Sequence, residues 1–337
     1  MTEVTTGGAQ SWWRDWSYRV AGQRGLLISV AIFIAMFALY GYKQEVGLTS
    51  SILNTAANKG SLLALVAMGQ TLPVLTGGID LSVGMIFVLS NCLASAIVVG
   101  SPTMTALGVV GVLAAGLACG AINGVIIVYG RLQPIIATIA TGAAAFGVSL
   151  ALRPDPGGSI NTDFADLMTT SYFGVPATLI LLAGVVLVIW VPYRRSVLGR
   201  AAYAIGSSEQ AAYMSGVPIA RAKLLAYALA GLLSAIAGLV LTCITYSGEA
   251  RAALGGDYTL NSIAAVVIGG TSLMGGAGSA IGSIFGAFVM RTVGDLLFVF
   301  DMDPLWQPLF VGLVLLLAVS LGSLRLLRIK NKLDLYR

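Results

Sequence analysis

Apolar runs of membrane-spanning length recur from Gly25 to Leu324, separated by short polar intervals. They predict about ten helical crossings, near residues 25–42, 60–76, 79–99, 104–128, 134–152, 174–192, 223–246, 259–273, 277–298 and 305–323. A helix needs roughly 20 apolar residues to cross a bilayer. The windows at 60–76 and 259–273 fall short of that, so tilted or broken helices are expected there. Eight crossings plus a re-entrant pair would also leave both termini on one side. Because the runs repeat along the whole chain, one N-terminal signal sequence cannot account for them. Composition agrees: 57% of the 337 residues are hydrophobic and 10% charged, against about 25% charged in soluble domains. The expected fold class is an all-α integral membrane protein.

Charge supplies the orientation. Arg14, Arg19 and Arg24 precede the first run, and Arg194, Arg195, Arg200, Arg221 and Lys223 follow the sixth. Arg325, Arg328, Lys330, Lys332 and Arg337 follow the last. With ten crossings all three clusters share one side, which the positive-inside rule makes cytoplasmic, together with both termini. The same threading puts Asp155, Asp163, Asp166, Glu249, Asp257, Asp301 and Asp303 outside. The expected organisation is a segment at 1–24, a membrane domain at 25–324 containing a cytoplasmic loop at 193–222, and a basic tail at 325–337. Trp12, Trp13, Trp16 and Tyr18 alternate with basic residues in the first segment, a pattern suited to membrane lipids at headgroup level. The chain has no His, which removes His-based metal sites and triads. Cys92, Cys119 and Cys243 sit unpaired in apolar runs and read as packing residues. A net charge of +5 is too small to suggest a nucleic-acid partner.

Polar residues and glycines inside the runs carry the remaining signal. In LTGGIDLSVG, Gly77 and Gly78 permit a tight turn, and Asp80 or Ser82 can cap a new helix. In IGGTSLMGGAG, Gly269 and Gly270 open a second break; without GxxxxGK[ST] it is no phosphate loop. Such discontinuities are tolerated only where protein or a water-lined cavity satisfies the backbone. Asn123 adds an amide inside the fourth run, and Arg291 and Asp295, four apart on one helix face, can pair internally. Gly116, Gly120 and Gly124, and likewise Gly278, Gly282 and Gly286, are spaced for close helix packing. A path lined by amides and hydroxyls suits a neutral hydrogen-bonding solute. In the loop at 193–222, Ser207 or Ser208 can start a short helix that Gly216-Val217-Pro218 stops, suited either to an ordinary surface or to a cytoplasmic partner.

Three stretches together resemble one family: LTGGIDLSVG at 75–84, GRAAYAIGSSEQAAYMSGV at 199–217, and SIAAVVIGGTSLMGGAGSAIGSIFGA at 262–287 followed by WQPLFVGLVLLLAV at 306–319. The family is the permease subunits of bacterial ATP-binding-cassette importers for ribose and related sugars, distantly similar to branched-chain amino acid permeases. The resemblance implies a multi-pass protein of the bacterial inner membrane, importing a monosaccharide or similar polyhydroxylated solute by alternating access. It implies a second permease subunit forming a homodimer, a cytoplasmic ATP-binding protein and a periplasmic solute-binding protein. No catalysis or cofactor is expected in this chain, with ATP and Mg held by the partner ATPase. The ATPase-coupling element maps to Gly206, Ser208, Glu209, Ala212 and Gly216, and the pathway or helix-break candidates are Gly77, Gly78, Asp80, Ser82, Asn123, Gly269 and Gly270. Ser208 departs from the Asn frequent in relatives, although either can cap a helix. The alternative is an ion- or proton-coupled secondary transporter of a small polar solute, with Asp80 and Asp295 as titrating groups.

Overall fold

A computed structural model describes residues 24–44, 47–313 and 316. The aromatic and basic segment at 1–23 and the tail at 325–337 lie outside the described residues. Helix α1 (Arg24–Lys43) is followed by α2 (Ser50–Leu75), α3 (Val83–Ile97), α4 (Pro102–Val128) and α5 (Pro134–Leu152). A short α6 (Thr162–Thr169) and a two-residue antiparallel ribbon, Ser171–Tyr172 with Val175–Pro176, precede α7 (Ala177–Arg195). That rod contains a π-helical turn at Val186–Trp190. Then come α8 (Val197–Ser207), α9 (Glu209–Met214), α10 (Ile219–Thr245), α11 (Ala252–Ile268) and α12 (Ala280–Val299). Residues 307–313 are again helical.

The protein is therefore an all-α multi-pass membrane protein, but among the described residues six helices, fewer than the expected ten, are both long and apolar enough to span: α1, α4, α5, α7, α10 and α12. The shortfall has identifiable causes. Helix α3 has 15 residues and α11 has 17, so they rise only about 22 and 25 Å. Helix α2 has the length, with 26 residues, but begins with the polar stretch SSILNTAANKG. The last apolar run lies partly outside the described residues. The short windows expected at 60–76 and 259–273 thus correct to a long α2 and a short α11, with α3 as the other short helix.

Local starts follow capping chemistry. Thr49, Ser101, Asn161, Ser196 and Ser279 each accept a backbone N–H of the helix they open. Packing follows residue size. Every residue of α2 from Gly60 to Leu75 is buried, as suits a stretch whose only polar side chains are Ser61, Gln70 and Thr71. Helix α10 runs beside α2, α3 and α4 as the other central element. Gly116, Gly120 and Gly124 of α4 meet the backbone of α10 at Gly231, Tyr227 and Leu224. Gly282 and Gly286 of α12 meet the backbone of α11 at Gly269 and Ala265. Both glycine series are used within this chain, where van der Waals packing replaces the hydrophobic drive absent in lipid.

The connections gather on two faces. On one, Ser171 donates to Asn54, Thr178 donates to Asn58, Lys59 pairs with Asp295 at 3.4 Å, and Gly157 bridges Gly248. Tyr246 donates to Asp166 at 2.6 Å, which pushes its hydroxyl pKa above the ordinary value. On the other face lie the breaks after α2 and α11, the α7–α10 connection and the start of α1, where Gly25 abuts Gly270.

Candidate functional site

The two glycine breaks are built alike. Helix α2 ends with Gly77 in the left-handed region at φ 79°; its N–H donates to Val74 O, and Gly78 N–H donates to Pro73 O. Helix α11 ends with Gly270 at φ 81°, donating to Val267 O, and Thr271 N–H donates to Val266 O. Each is a Schellman ending, which recovers two orphan carbonyls and requires a residue without the Cβ penalty at the left-handed position. Gly78 and Gly269 serve closeness instead. A Cβ on Gly78 would overlap the Tyr227 hydroxyl, and one on Gly269 the backbone of Gly282.

Beyond the first break, Asp80 is fully buried. Its Oδ1 accepts the N–H of Ser82 at 2.9 Å and the Ser82 hydroxyl at 2.6 Å, while its Oδ2 has no partner among the described residues. Gln70, with its amide turned to satisfy both contacts, donates to Asp80 O at 2.8 Å and accepts from Asp80 N–H at 3.2 Å. Asn123 donates to Ser82 Oγ at 2.7 Å, and the Thr141 hydroxyl donates to Asn123 Oδ1. The chain Thr141–Asn123–Ser82–Asp80 thus links α4, α5 and the first break. Ser82, Asn123 and Thr141 border a cleft of about 220 Å³ whose other walls include Ile86, Ile122 and Val148.

Capping of α3 differs from the sequence expectation. Ser82 occupies the N-cap position but makes no side-chain cap bond, and Asp80 serves Ser82 itself. Other helices take amides around this start: Leu81 N–H, just before the N-cap, donates to Thr138 Oγ1 of α5 at 3.0 Å, and Gly84 N–H in the first turn donates to Thr259 Oγ1 of α11 at 3.1 Å. The cap is tertiary. Neither threonine carried a signal in the sequence.

The loop after the second break reaches the end of the first. Gly276 N–H donates to Leu75 O at 3.1 Å, and a Cβ on Gly275 would press on Gly77. Helix α8 closes the group. A Cβ on Gly206 would strike Leu75 O and the backbone of Gly275 and Gly276. The Tyr203 hydroxyl donates to Gly278 O at 2.9 Å; burial pushes its pKa up and the Arg194 guanidinium pulls it part-way back. Three segments far apart in sequence therefore meet backbone to backbone.

Helix α9 projects from this junction. Ser208 caps it by accepting Ala211 N–H at 3.2 Å, and Gly216, at φ 71°, ends it with open space around its α-carbon. Ala212 packs with Ala201, Ile205 and Ala222 in a small core of its own. Glu209 pairs with Lys223 at 2.7 Å across to α10. Tyr213 and Met214 are 74% and 80% exposed.

Arg291 and Asp295 do not form the expected internal pair. Arg291 donates to the Tyr258 hydroxyl at 2.7 Å and lies over that ring, while Asp295 pairs with Lys59. An i, i+4 spacing allows contact, but better-placed partners on α11 and α2 take both groups. Among the described residues no cluster of three or more His, Cys, Asp or Glu could hold a metal ion.

Residues 52–319 match the family model for the branched-chain amino acid transport system / permease component. The chain belongs to this permease family. The ribose import permease protein RbsC of Escherichia coli strain K12 is 33% identical over 332 residues, covering 96% of this chain and 99% of that protein. RbsC of Bacillus subtilis strain 168 is 38% identical over 266 residues, covering 76% and 80%. The D-allose transport system permease protein AlsC of Escherichia coli strain K12 is 29% identical over 301 residues, covering 89% and 91%. No solved structure matches. The resemblance drawn from the three sequence stretches therefore holds: this is a non-catalytic, multi-pass permease subunit of the bacterial inner membrane. Both breaks and the α8–α9 projection fall inside the region matched to the permease family, and α1 precedes it.

Proposed function

We propose that this chain forms one half of the pore of an ATP-driven importer for a monosaccharide or closely related polyhydroxylated solute. A periplasmic binding protein delivers the solute, and alternating access releases it to the cytoplasm. The observation that carries this reading is the meeting of α8 at Gly206 with both helix breaks, at Leu75 and at Gly275–Gly276. A push on the α8–α9 projection has no soft layer to absorb it before it reaches the broken helices. The names of the relatives, ribose and D-allose permeases, support the solute class. The hydroxyl and amide groups of Ser82, Asn123 and Thr141 beside the cleft are suited to it.

The finer topology belongs to the same reading. Helices α2, α3 and α11 cross beside the six long ones, and the segment starting at residue 307 makes the tenth crossing, leaving both termini cytoplasmic. The organisation at 1–24, 25–324 and 325–337 follows, with the loop at 193–222 on the cytoplasmic side. A cytoplasmic ATPase, holding ATP and Mg, engages Gly206, Ser208, Glu209, Ala212 and Gly216, with Tyr213 and Met214 as exposed anchors. Two copies of the chain form the pore, surrounded by membrane lipids. Gly77, Gly78, Asp80, Ser82, Asn123, Gly269 and Gly270 shape the pathway and its hinges. A gradient-driven carrier would need Asp80 and Asp295 on one route, yet Asp295 is paired with Lys59 on the opposite face.

The test is reconstitution with the cognate ATPase and binding protein in proteoliposomes, using ribose as first probe. Tyr213→Ala with Met214→Ala is expected to abolish solute-stimulated ATP hydrolysis while membrane insertion is kept. Unchanged stimulation, or uptake that persists without the ATPase, would refute the reading.

A further inference from the structure

A second and larger cleft, about 500 Å³, lies where α7, α8 and the start of α12 meet; its lining is Trp190, Val191, Arg194, Arg195, Arg200 and Ile281. Its composition is divided. Trp190, 2% exposed, and the aliphatic Val191 and Ile281 supply apolar wall, while three exposed arginines supply the charge. No carboxylate lines the cleft, and none of the three arginines forms a salt bridge among the described residues. Arg194 and Arg195 occupy the last turn of the spanning rod α7, the depth at which a helix leaves hydrocarbon for headgroups. Arg200 comes from α8, turned into place by the Ser196 cap, whose hydroxyl accepts Gly199 N–H at 2.9 Å. Farther up the same rod, Leu187 and Val188 of the π-helical turn are 66% and 74% exposed, so the rod presents an apolar surface above the arginines.

We propose that this cleft binds the headgroup of an anionic phospholipid from the inner leaflet. Guanidinium groups match phosphate oxygens in charge and in donor geometry. Basic pockets between spanning helices at the cytoplasmic side select anionic headgroups in this way. The aliphatic wall accommodates the glycerol and upper acyl carbons, which a free anion would leave unfilled. The bound lipid touches α7, α8 and Ile281 at once, tying the element that packs on both breaks to the spanning rod beside it. The proposal rests on the functional reading above only for placing this end of α7 at the inner leaflet.

The test uses the full-length protein in nanodiscs of phosphatidylcholine alone or with phosphatidylglycerol, released into native mass spectrometry to count retained lipids. The parent is expected to retain phosphatidylglycerol over phosphatidylcholine. Arg194→Gln with Arg195→Gln and Arg200→Gln is expected to weaken retention by roughly fivefold per guanidinium removed. Arg131→Gln, in the loop between α4 and α5, serves as the basic control and should change nothing. Should the triple variant fail to accumulate, Arg200→Gln alone, outside the spanning rod, is expected to show the single fivefold loss. Equal retention of both lipids by the parent, or retention unchanged in the variants, would overturn the proposal. So would displacement of the lipid by inorganic phosphate at matched concentration, which would make the site one for a soluble anion. Loss of a co-purifying ATPase with lipid retention intact would assign the arginines to a protein interface instead. Failure of solute-stimulated ATP hydrolysis would leave these lipid counts unaffected, so the two readings fail separately.

Discussion

The two faces of the molecule are held together by different chemistry. On the face carrying Asp166 and Glu249, side chains supply much of the tying, Asn54 to Ser171, Asn58 to Thr178, Lys59 to Asp295 and Arg153 to Ser95, beside the Gly157–Gly248 backbone bridge. On the face carrying the breaks, the contacts that matter join backbone to backbone through Gly77, Gly206, Gly275 and Gly276. The Lys59–Asp295 pair is exposed, and such a tie is individually weak and can exchange with water. Close-packed backbone cannot yield by rotamer change, so displacement of one segment must displace the next. A rim of the first kind tolerates variation, whereas a junction of the second kind transmits force.

Substitutions at two glycines of the α8–α9 projection test that contrast most sharply. Gly206→Val should cost about 3 kcal/mol or more, since overpacking here presses on backbone rather than on movable side chains. Gly216→Val, with open space around it but φ at 71°, should cost only about 1–2 kcal/mol. Thermal unfolding of the purified proteins measures both, and equal losses would remove the distinction between junction and tip.

A smaller effect concerns the tertiary cap of α3. Thr138→Val and Thr259→Val each leave one backbone N–H without its acceptor, at a cost of about 1–3 kcal/mol apiece. Because both amides belong to one helix start, the double variant should depart from additivity. Unfolding midpoints that match the parent would show that α3 is capped by other means.

The smallest effect belongs to the rim. The bond from Tyr246 to Asp166 raises the phenol above its ordinary 10.0 in the folded protein. Its contribution is fully present below that value and is lost as pH rises through the higher folded value. Tyr246→Phe should therefore lower the midpoint slightly at neutral pH and leave it level with the parent once the phenol has ionised. A difference that persists unchanged under strong alkali would exclude the bond as its cause.

Much of this was legible in sequence, and unevenly. The windows at 25–42, 104–128 and 134–152 fall close to α1, α4 and α5, because a continuous apolar run in lipid has one economical conformation, with all backbone groups paired internally. Helix α2 was underestimated at its polar start, where Asn54, Asn58 and Lys59 find partners in distant loops. Gly77, Gly270 and Gly216 could be picked out as breaks or stops because left-handed endings favour residues without a Cβ. The Arg291–Asp295 pairing failed because helical spacing reports which residues can meet, not which competitors from other helices stand closer.

Sequence alone was enough for the solvent this protein lives in, the order of its apolar segments, the places where helices break and the family to which it belongs. Those properties follow from local composition, spacing and the short patterns quoted above. Packing in three dimensions was needed to show that α8 rests on both breaks, that Thr138 and Thr259 fix the start of α3, that Lys59 takes Asp295 and that three arginines line a single cleft. Such contacts join residues many positions apart, and their selection depends on which of several chemically adequate partners the packing of the helices brings within reach.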